Sequence, residues 1–366
     1  MAAAALRDSF SADYATARAR FLAAAAKAGA AVESHVHPTA HASDGAPLAM
    51  DVAQLGAASS DALLVVSSGT HGVEGFCGSG VQVAMLADPA VAAALAASGA
   101  ALLLVHAVNP YGFAHVRRTN EENVDLNRNF RDFTQPIAPN VAYEEVHRFI
   151  VPTAWPPGPD TEQPLGAYLA RHGPSKLQAA LTGGQYEHAD GLFYGGRAPA
   201  WSNATLRGVF RAHGASRRRV GWIDVHTGLG PSGHGEKIYS GPDDATMLAR
   251  TRAWWGVDVT SFYAGTSTSA EVTGSISAAA IDECPGVEYA GIGLEFGTVP
   301  LLEAFQALRA DQWLSSQPTA PPALRDAIKR ALRGAFEVDT DDWRGMVYGQ
   351  ARATVFQALR GLAAAR

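Results

Sequence analysis

Three short, almost wholly apolar blocks, Ala62–Ser68, Ala101–Val108 and Val220–Val225, constrain this chain more than any other feature. Each is too short for an ordinary helix, is rich in Val, Leu or Ile, and closes on polar or glycine-bearing residues. That is the pattern of strands buried on both faces. Between the first two lies Gly80–Ala97, helical in composition, and strand, helix, strand implies a right-handed parallel crossover. The chain therefore reads as α/β, a mixed, mostly parallel β-sheet flanked by helices. Residues 5–30 read as an amphipathic helix. Val32–Ala40 and Pro47–Leu55 flank Ser43-Asp44-Gly45 and predict an opening hairpin with a two-residue turn. Lys237–Ser240 and Gly291–Phe296 read as further strands, and Leu301–Ala310, Pro321–Phe336 and Ala351–Ala364 as closing helices.

One domain over residues 1–366 accounts for this order, with an insertion at about 134–219, where residues 134–160 alone hold six prolines. The 29 Lys+Arg against 35 Asp+Glu leave a net charge of −6, which argues against nucleic acid or an anionic membrane as partner. Two cysteines, Cys77 and Cys284, are too few for a disulfide framework and read as reduced thiols. Arg7, Asp8, Asp13, Arg18 and Arg20 interrupt the Ala-rich start, and no strongly apolar run of about 18 residues follows. The expectation is a cytoplasmic protein with no membrane span.

The chemistry gathers where the apolar blocks end. Ser68-Gly69-Thr70-His71-Gly72-Val73-Glu74-Gly75 puts an imidazole and a carboxylate three residues apart on a glycine-rich turn. Two ligands from one turn and a third from a distant strand suit an open zinc site, whose fourth position must stay free for water. His226, in Ile223-Asp224-Val225-His226-Thr227-Gly228, is the candidate third ligand, again at a strand end, where α/β sheets gather ligand sites.

Two more segments follow the same order: Asn109-Pro110-Tyr111-Gly112-Phe113 with Arg117-Arg118, and Asp125-Leu126-Asn127-Arg128-Asn129-Phe130. With His-x-x-Glu, the strand-terminal Asp-x-His and a later Leu294-Glu295-Phe296, this series resembles the zinc carboxypeptidase superfamily over roughly residues 60–300. It is closest to a little-characterised bacterial branch of deacylase/carboxypeptidase-like proteins. The resemblance implies one zinc ion per chain on His71, Glu74 and His226, with Glu295 as general base. It implies Arg118, or the adjacent Arg117, as the group that stabilises an oxyanion. Asn127 and Arg128 would clasp a substrate carboxylate, a task suited to the planar fork of a guanidinium. Asp125 would orient His71 by accepting its other ring proton.

The implied activity is hydrolysis of an amide bond next to a free carboxylate, in a small peptide. An aspartoacylase/succinylglutamate desuccinylase-like deacylase of N-acyl amino acids shares these residues, and a non-catalytic carboxylate-binding protein is the reading of another class. The substrate-capping tyrosine of carboxypeptidase A has no counterpart near Ser269–Gly274; Tyr263 is the nearest candidate. Gly78-Ser79-Gly80 lacks the third glycine of a dinucleotide loop, and Ser79 lacks the outer glycines of a nucleophile elbow. His35, His37 and His41 read as a solvated face of the opening hairpin, and Cys77 as a small buried thiol.

Overall fold

The computed structural model describes residues 3–363. Its frame is one seven-stranded sheet of β1 (Ala31–His41), β2 (Pro47–Leu55), β3 (Ala62–Ser68), β4 (Ala101–His106), β5 (Arg219–Ser232), β6 (Gly235–Tyr239) and β7 (Glu288–Gly297). The spatial order is β1-β2-β4-β3-β5-β7-β6. β4, β3, β5 and β7 are mutually parallel, with the antiparallel β1-β2 hairpin on one side and antiparallel β6 on the other. This is the mixed α/β sheet the apolar blocks predict. Every residue of β3 and β4 is buried, as expected of central strands covered on both faces.

Alternation along the strands sorts the two cores. Leu64, Val66, Leu102, Leu104, Ile223, Val225, Ile292 and Leu294 face the helices Gly75–Leu86, Pro89–Ser98 and Asp341–Ala363. Leu63, Val65, Leu103, Val105, Val220, Trp222 and Tyr289 face the helix Trp201–His213 on the other side. Each such side chain contributes about 1.5–3 kcal/mol on burial, so a one-residue slip in any central strand would exchange both faces at once.

Several boundaries differ from the sequence reading, each for a local reason. The helix expected over 5–30 is two, Ala3–Arg7 and Tyr14–Lys27. Asp13 caps the second through a 2.7 Å bond from Thr16 N, and Arg20 holds the intervening carbonyls of Asp8 and Phe10, both at 2.6 Å. The hairpin turn spans residues 42–46 rather than two residues, closed by Ala42 N to Ala46 O at 2.9 Å, with Asp44 Oδ1 accepting from Ala46 N. The segment Gly80–Ala97 breaks at Asp88-Pro89, because Asp88 caps a new helix with proline at its first position. His37 is not solvated: it is 5% exposed, packs on Trp201 and meets Glu121 Oε1 at 3.0 Å.

The stretch 134–219 contributes the helices Val141–Ile150, Pro159–His172, Pro174–Thr182 and Trp201–His213. The last helix, Asp341–Ala363, begins ten residues earlier than expected, and the expected Ala364 lies outside the described residues. Among the described residues no single helix is long and apolar enough to cross a membrane.

Candidate metal centre

β3 lies between β4 and β5, so the chain leaves it to one side and returns on the other. Such a reversal opens a crevice at the carboxyl ends of the strands. From Ser68 the chain turns through Gly69-Thr70 to His71 and the single 3-10 turn Gly72–Glu74. Gly72 is required there, since a Cβ on it would fall 2.0 Å from the carbonyl carbon of Gly112. That close approach lets Gly72 N and Val73 N donate to the carbonyls of Arg118 and Arg117, at 3.1 and 2.8 Å. Asn109 Oδ1 fixes the opposing turn by accepting from Gly112 N at 2.8 Å. The Asn-Pro-x-Gly-Phe segment thus holds the arginine pair against the turn that carries His71 and Glu74.

On β5, residues 220, 222, 224 and 226 share one face. Val220 and Trp222 belong to the core, and Asp224 and His226 continue the same row into the crevice. Glu295 on β7 is the register partner of His226 and so stands beside it on the same side of the sheet.

The ligand atoms of His71, Glu74 and His226 all lie within 4.8 Å of one another. Glu74 Oε1 is 2.8 Å from His71 Nδ1, and Glu74 Oε2 is 3.0 Å from His226 Nδ1. The far nitrogens are held by carboxylates: His226 Nε2 to Asp224 Oδ2 at 2.6 Å, and His71 Nε2 to Asp125 Oδ1 at 3.1 Å. Asp224 also accepts from Ser67 Oγ at 2.5 Å and Thr70 Oγ1 at 2.9 Å. An imidazole donating through Nε2 keeps its Nδ1 lone pair for a cation. Two such imidazoles and a carboxylate are a donor set that fits zinc.

Arg118 Nε donates to Asp125 Oδ2 at 2.9 Å and Nη1 to Glu74 Oε1 at 3.4 Å, while Nη2 lies 2.8 Å from His71 Nε2. A guanidinium only donates, so this last contact is a bond only when His71 Nε2 accepts. The same nitrogen then has no proton for Asp125, and Arg118 competes with a cation for the tautomer of His71. Arg117 turns the other way, to Asp311 Oδ2 at 3.2 Å and Asn123 Oδ1 at 3.1 Å. Of the two arginines, the structure brings only Arg118 to the centre.

The buried charges set one another. Burial pushes Glu74 up, but the two imidazoles outweigh it and hold the carboxyl far below its usual range. Burial pushes His226 down, and the charge and hydrogen bond of Asp224 reverse this and hold it well above an ordinary histidine. Burial and the nearby charge of Glu74 push Glu295 up to about 8. Among the described residues its only hydrogen bond is from Leu229 N at 3.0 Å. A cation on Glu74 would remove the second of those causes.

The centre opens into a cavity of about 470 Å³. Leu177, Leu181, Ile276, Phe305 and Leu308 give it apolar walls, and Tyr263 stands in its lining. Asn127 and Arg128 line it too. Asn127 Oδ1 accepts from Ile276 N at 2.9 Å. Arg128 donates from Nε and Nη2 to Thr182 O, at 2.8 and 2.5 Å, and from Nη1 to Asn127 O at 2.7 Å. Three of its five N–H groups are used. Arg128 is 3% exposed and, among the described residues, forms no salt bridge; burial pushes its pKa down. The ring of Phe193 lies under both guanidiniums, 5.0 Å from Arg118 and 5.8 Å from Arg128.

Residues 10–350 match the family described as a protein of unknown function, DUF2817. The chain belongs to that family. No curated protein matches it. Among solved structures, this DUF2817 chain is similar to carboxypeptidase A from Helicoverpa armigera, at 13% identity over 93% of this chain and 73% of that one, with a TM-score of 0.44. It is similar to a metallo-carboxypeptidase from Burkholderia cenocepacia at 14% identity, over 87% and 67%, with a TM-score of 0.40. Bovine thrombin-activatable fibrinolysis inhibitor matches at 12% identity, over 96% and 97%, with a TM-score of 0.42.

Two residues at the centre of this DUF2817 chain have no role in the sequence reading. Asp224 had a visible signal, because Asp-x-His on a strand places both side chains on one face. Phe193 had none: its loop, with φ of +55° at Phe193, reaches the guanidiniums through tertiary packing alone. Cys77, free and buried, has its thiol pushed well up by burial and makes no bond at the centre.

Proposed function

We propose that this chain is a zinc-dependent hydrolase that cleaves an amide bond next to a free carboxylate. The observation that carries the reading is the convergence of His71, Glu74 and His226 beside Glu295, a buried carboxyl whose hydrogen bonding among the described residues is limited to one backbone N–H. His71, Glu74 and His226 would hold one ion per chain. When bound, zinc supplies Lewis acidity, polarising a carbonyl and lowering the pKa of water to about 7.

The chain's own groups divide the remaining work. Glu295 takes a proton from the attacking water and passes it to the leaving nitrogen, a task that favours a carboxyl titrating near neutrality. Arg118, beside Glu74 and Asp125, offers N–H groups to the oxygen that gains negative charge. Arg128 directs its unused N–H groups to the substrate carboxylate. A buried guanidinium without a carboxylate partner is an unfavourable arrangement that such an anion relieves. Asn127, its Oδ1 occupied by Ile276 N, leaves its amide N–H for the same anion. Asp125 and Asp224 hold the two imidazoles in register.

A cavity of about 470 Å³ with apolar walls suits a small substrate, either a short peptide or an N-acyl amino acid. The test is to assay zinc-loaded protein on both classes side by side. Turnover of either, retained zinc in Glu295→Gln, and turnover lost in that variant are expected. Acyl release without peptide cleavage assigns the deacylase reaction. If wild type and Glu295→Gln bind carboxylate ligands and are equally inert across the panel, the chain is a binding protein and the hydrolase reading fails.

A further inference from the structure

A second group of donors lies outside the cavity. The helix Val141–Ile150 carries Glu144 and His147 three residues apart, on one side of the helix. The loop that follows the helix Pro174–Thr182 carries His188 and Asp190. Ligand atoms of His147, His188 and Asp190 lie within 4.8 Å of one another, and Glu144 Oε1 is 2.7 Å from His188 Nε2. The two imidazoles stack with centroids 3.7 Å apart and planes at 22°, beside the ring of Tyr143.

His147 Nδ1 is shut off from water and has no hydrogen-bond partner among the described residues. An unsatisfied buried group of this kind is costly, and a cation is a partner that would relieve it.

We propose that Glu144, His147, His188 and Asp190 form a second metal site, for a divalent cation of the zinc, cobalt or nickel class. Two imidazoles and two carboxylates are the mixed nitrogen and oxygen set these ions accept. Stacked rings do not aim both lone pairs at one point, so one imidazole must turn about its Cβ–Cγ bond. His188 is the one free to do so, on a loop and with its side chain 27% exposed.

The site would act on the cavity through the loop it ties down. The same loop presents Phe193 under Arg118 and Arg128, and Tyr194 O accepts from Asp125 N at 2.7 Å. Asn123 Nδ2 donates to the carbonyls of Ala189 and Gly191, at 2.9 and 3.0 Å. An ion joining helix and loop would therefore stiffen the wall behind both guanidiniums. The proposal is independent of which reaction the cavity performs.

The experiment is equilibrium dialysis of chelator-stripped, full-length protein against Zn2+, with metal counted per chain. Two ions are expected in wild type, one in His71→Ala, and one in His188→Ala. The melting temperature of His71→Ala should rise with Zn2+, and that rise should vanish when His188→Ala is added. Should His188→Ala unfold, the more exposed Asp190→Asn and Glu144→Gln replace it, each weakening the second ion by about tenfold or more, as loss of even an outer partner does. One ion in wild type and none in His71→Ala would overturn the proposal. So would two ions bound with equal affinity in wild type and in every variant of the second group.

Discussion

Replacing Asp224 by Asn removes one charge and no volume, and its consequence follows from the bonds around it. Asp224 accepts from Ser67 Oγ and Thr70 Oγ1 on one side and meets His226 Nε2 at 2.6 Å on the other. Ser67 Oγ already accepts from Trp222 Nε1 at 2.7 Å, so its proton is committed to residue 224. An asparagine that turns its oxygen to the hydroxyls faces His226 with N–H, and the imidazole must then accept at Nε2 and carry its proton on Nδ1. That tautomer cannot bind a cation at Nδ1. The opposite orientation leaves the Ser67 proton facing an N–H, at a cost of about 1–3 kcal/mol. Either way zinc affinity should fall by about 10- to 100-fold, equivalent to about 1.4–2.8 kcal/mol. Competition against a chromogenic chelator at pH 7 measures it, with circular dichroism to establish that the variant is folded. A folded Asp224→Asn protein whose zinc dissociation constant lies within about twofold of wild type would refute the reasoning, the threshold being well under the loss expected of an outer partner.

Other changes separate neighbouring roles. Arg118→Ala should lower kcat by about 100- to 1,000-fold, whereas Arg117→Ala should leave kcat alone and lower the melting temperature, since it loses only its bonds to Asp311 and Asn123. Arg128→Met should lower kcat/KM on free-acid substrates by about 10- to 100-fold, the worth of a charge-assisted bond, with no change on the corresponding amides and no change in zinc content. Gly72→Ala, whose Cβ would meet the Gly112 backbone at 2.0 Å, should destabilise the fold by about 1–3 kcal/mol and lower zinc content without touching a ligand. Zinc loading at pH 7 should release about two protons per ion, read by calorimetry in buffers of different ionisation enthalpy.

The parts of this molecule legible in its sequence are those where a side chain's neighbours along the chain decide its surroundings. β3, β4 and the core of β5 are such parts, because a short apolar block has few ways to be buried. So are His71 and Glu74, three apart on one turn, which the structure brings to His226. What escaped reading depends on contacts between distant segments. The choice between Arg117 and Arg118 is made by Asp311, nearly two hundred residues away. His37 is buried because Trp201 and Glu121 cover it, whatever its alternating pattern suggests. The cavity walls come from segments about 180, 276 and 305, and no local period marks them as one surface. The break at 8–13 is intermediate: Asp13 is a visible cap, but the carbonyls that Arg20 collects are not.

Charge balance joins the two halves of the centre. Glu74, Asp125, Asp224 and Glu295 bring four carboxyls into the crevice against the two guanidiniums of Arg118 and Arg128. Uncompensated charge in such a setting is costly, and in the metal-free protein protons make up the difference. Two groups are poised to carry them: His226, held well above its usual range by Asp224 despite burial, and Glu295, pushed up to about 8 by burial and by Glu74. A divalent cation held by His71, Glu74 and His226 would supply the same two charges, and so would displace both protons. The sign follows: binding is tighter as pH rises, with about two protons exchanged per ion while both groups are protonated, and fewer once the medium passes the Glu295 value. A cation therefore does more than complete a coordination shell. By taking the place of the Glu295 proton, it would leave that carboxylate ionised beside it at neutral pH, the state the proposed proton acceptor needs. An affinity that does not change between pH 6 and pH 8 would show that the two protons are not there to be displaced.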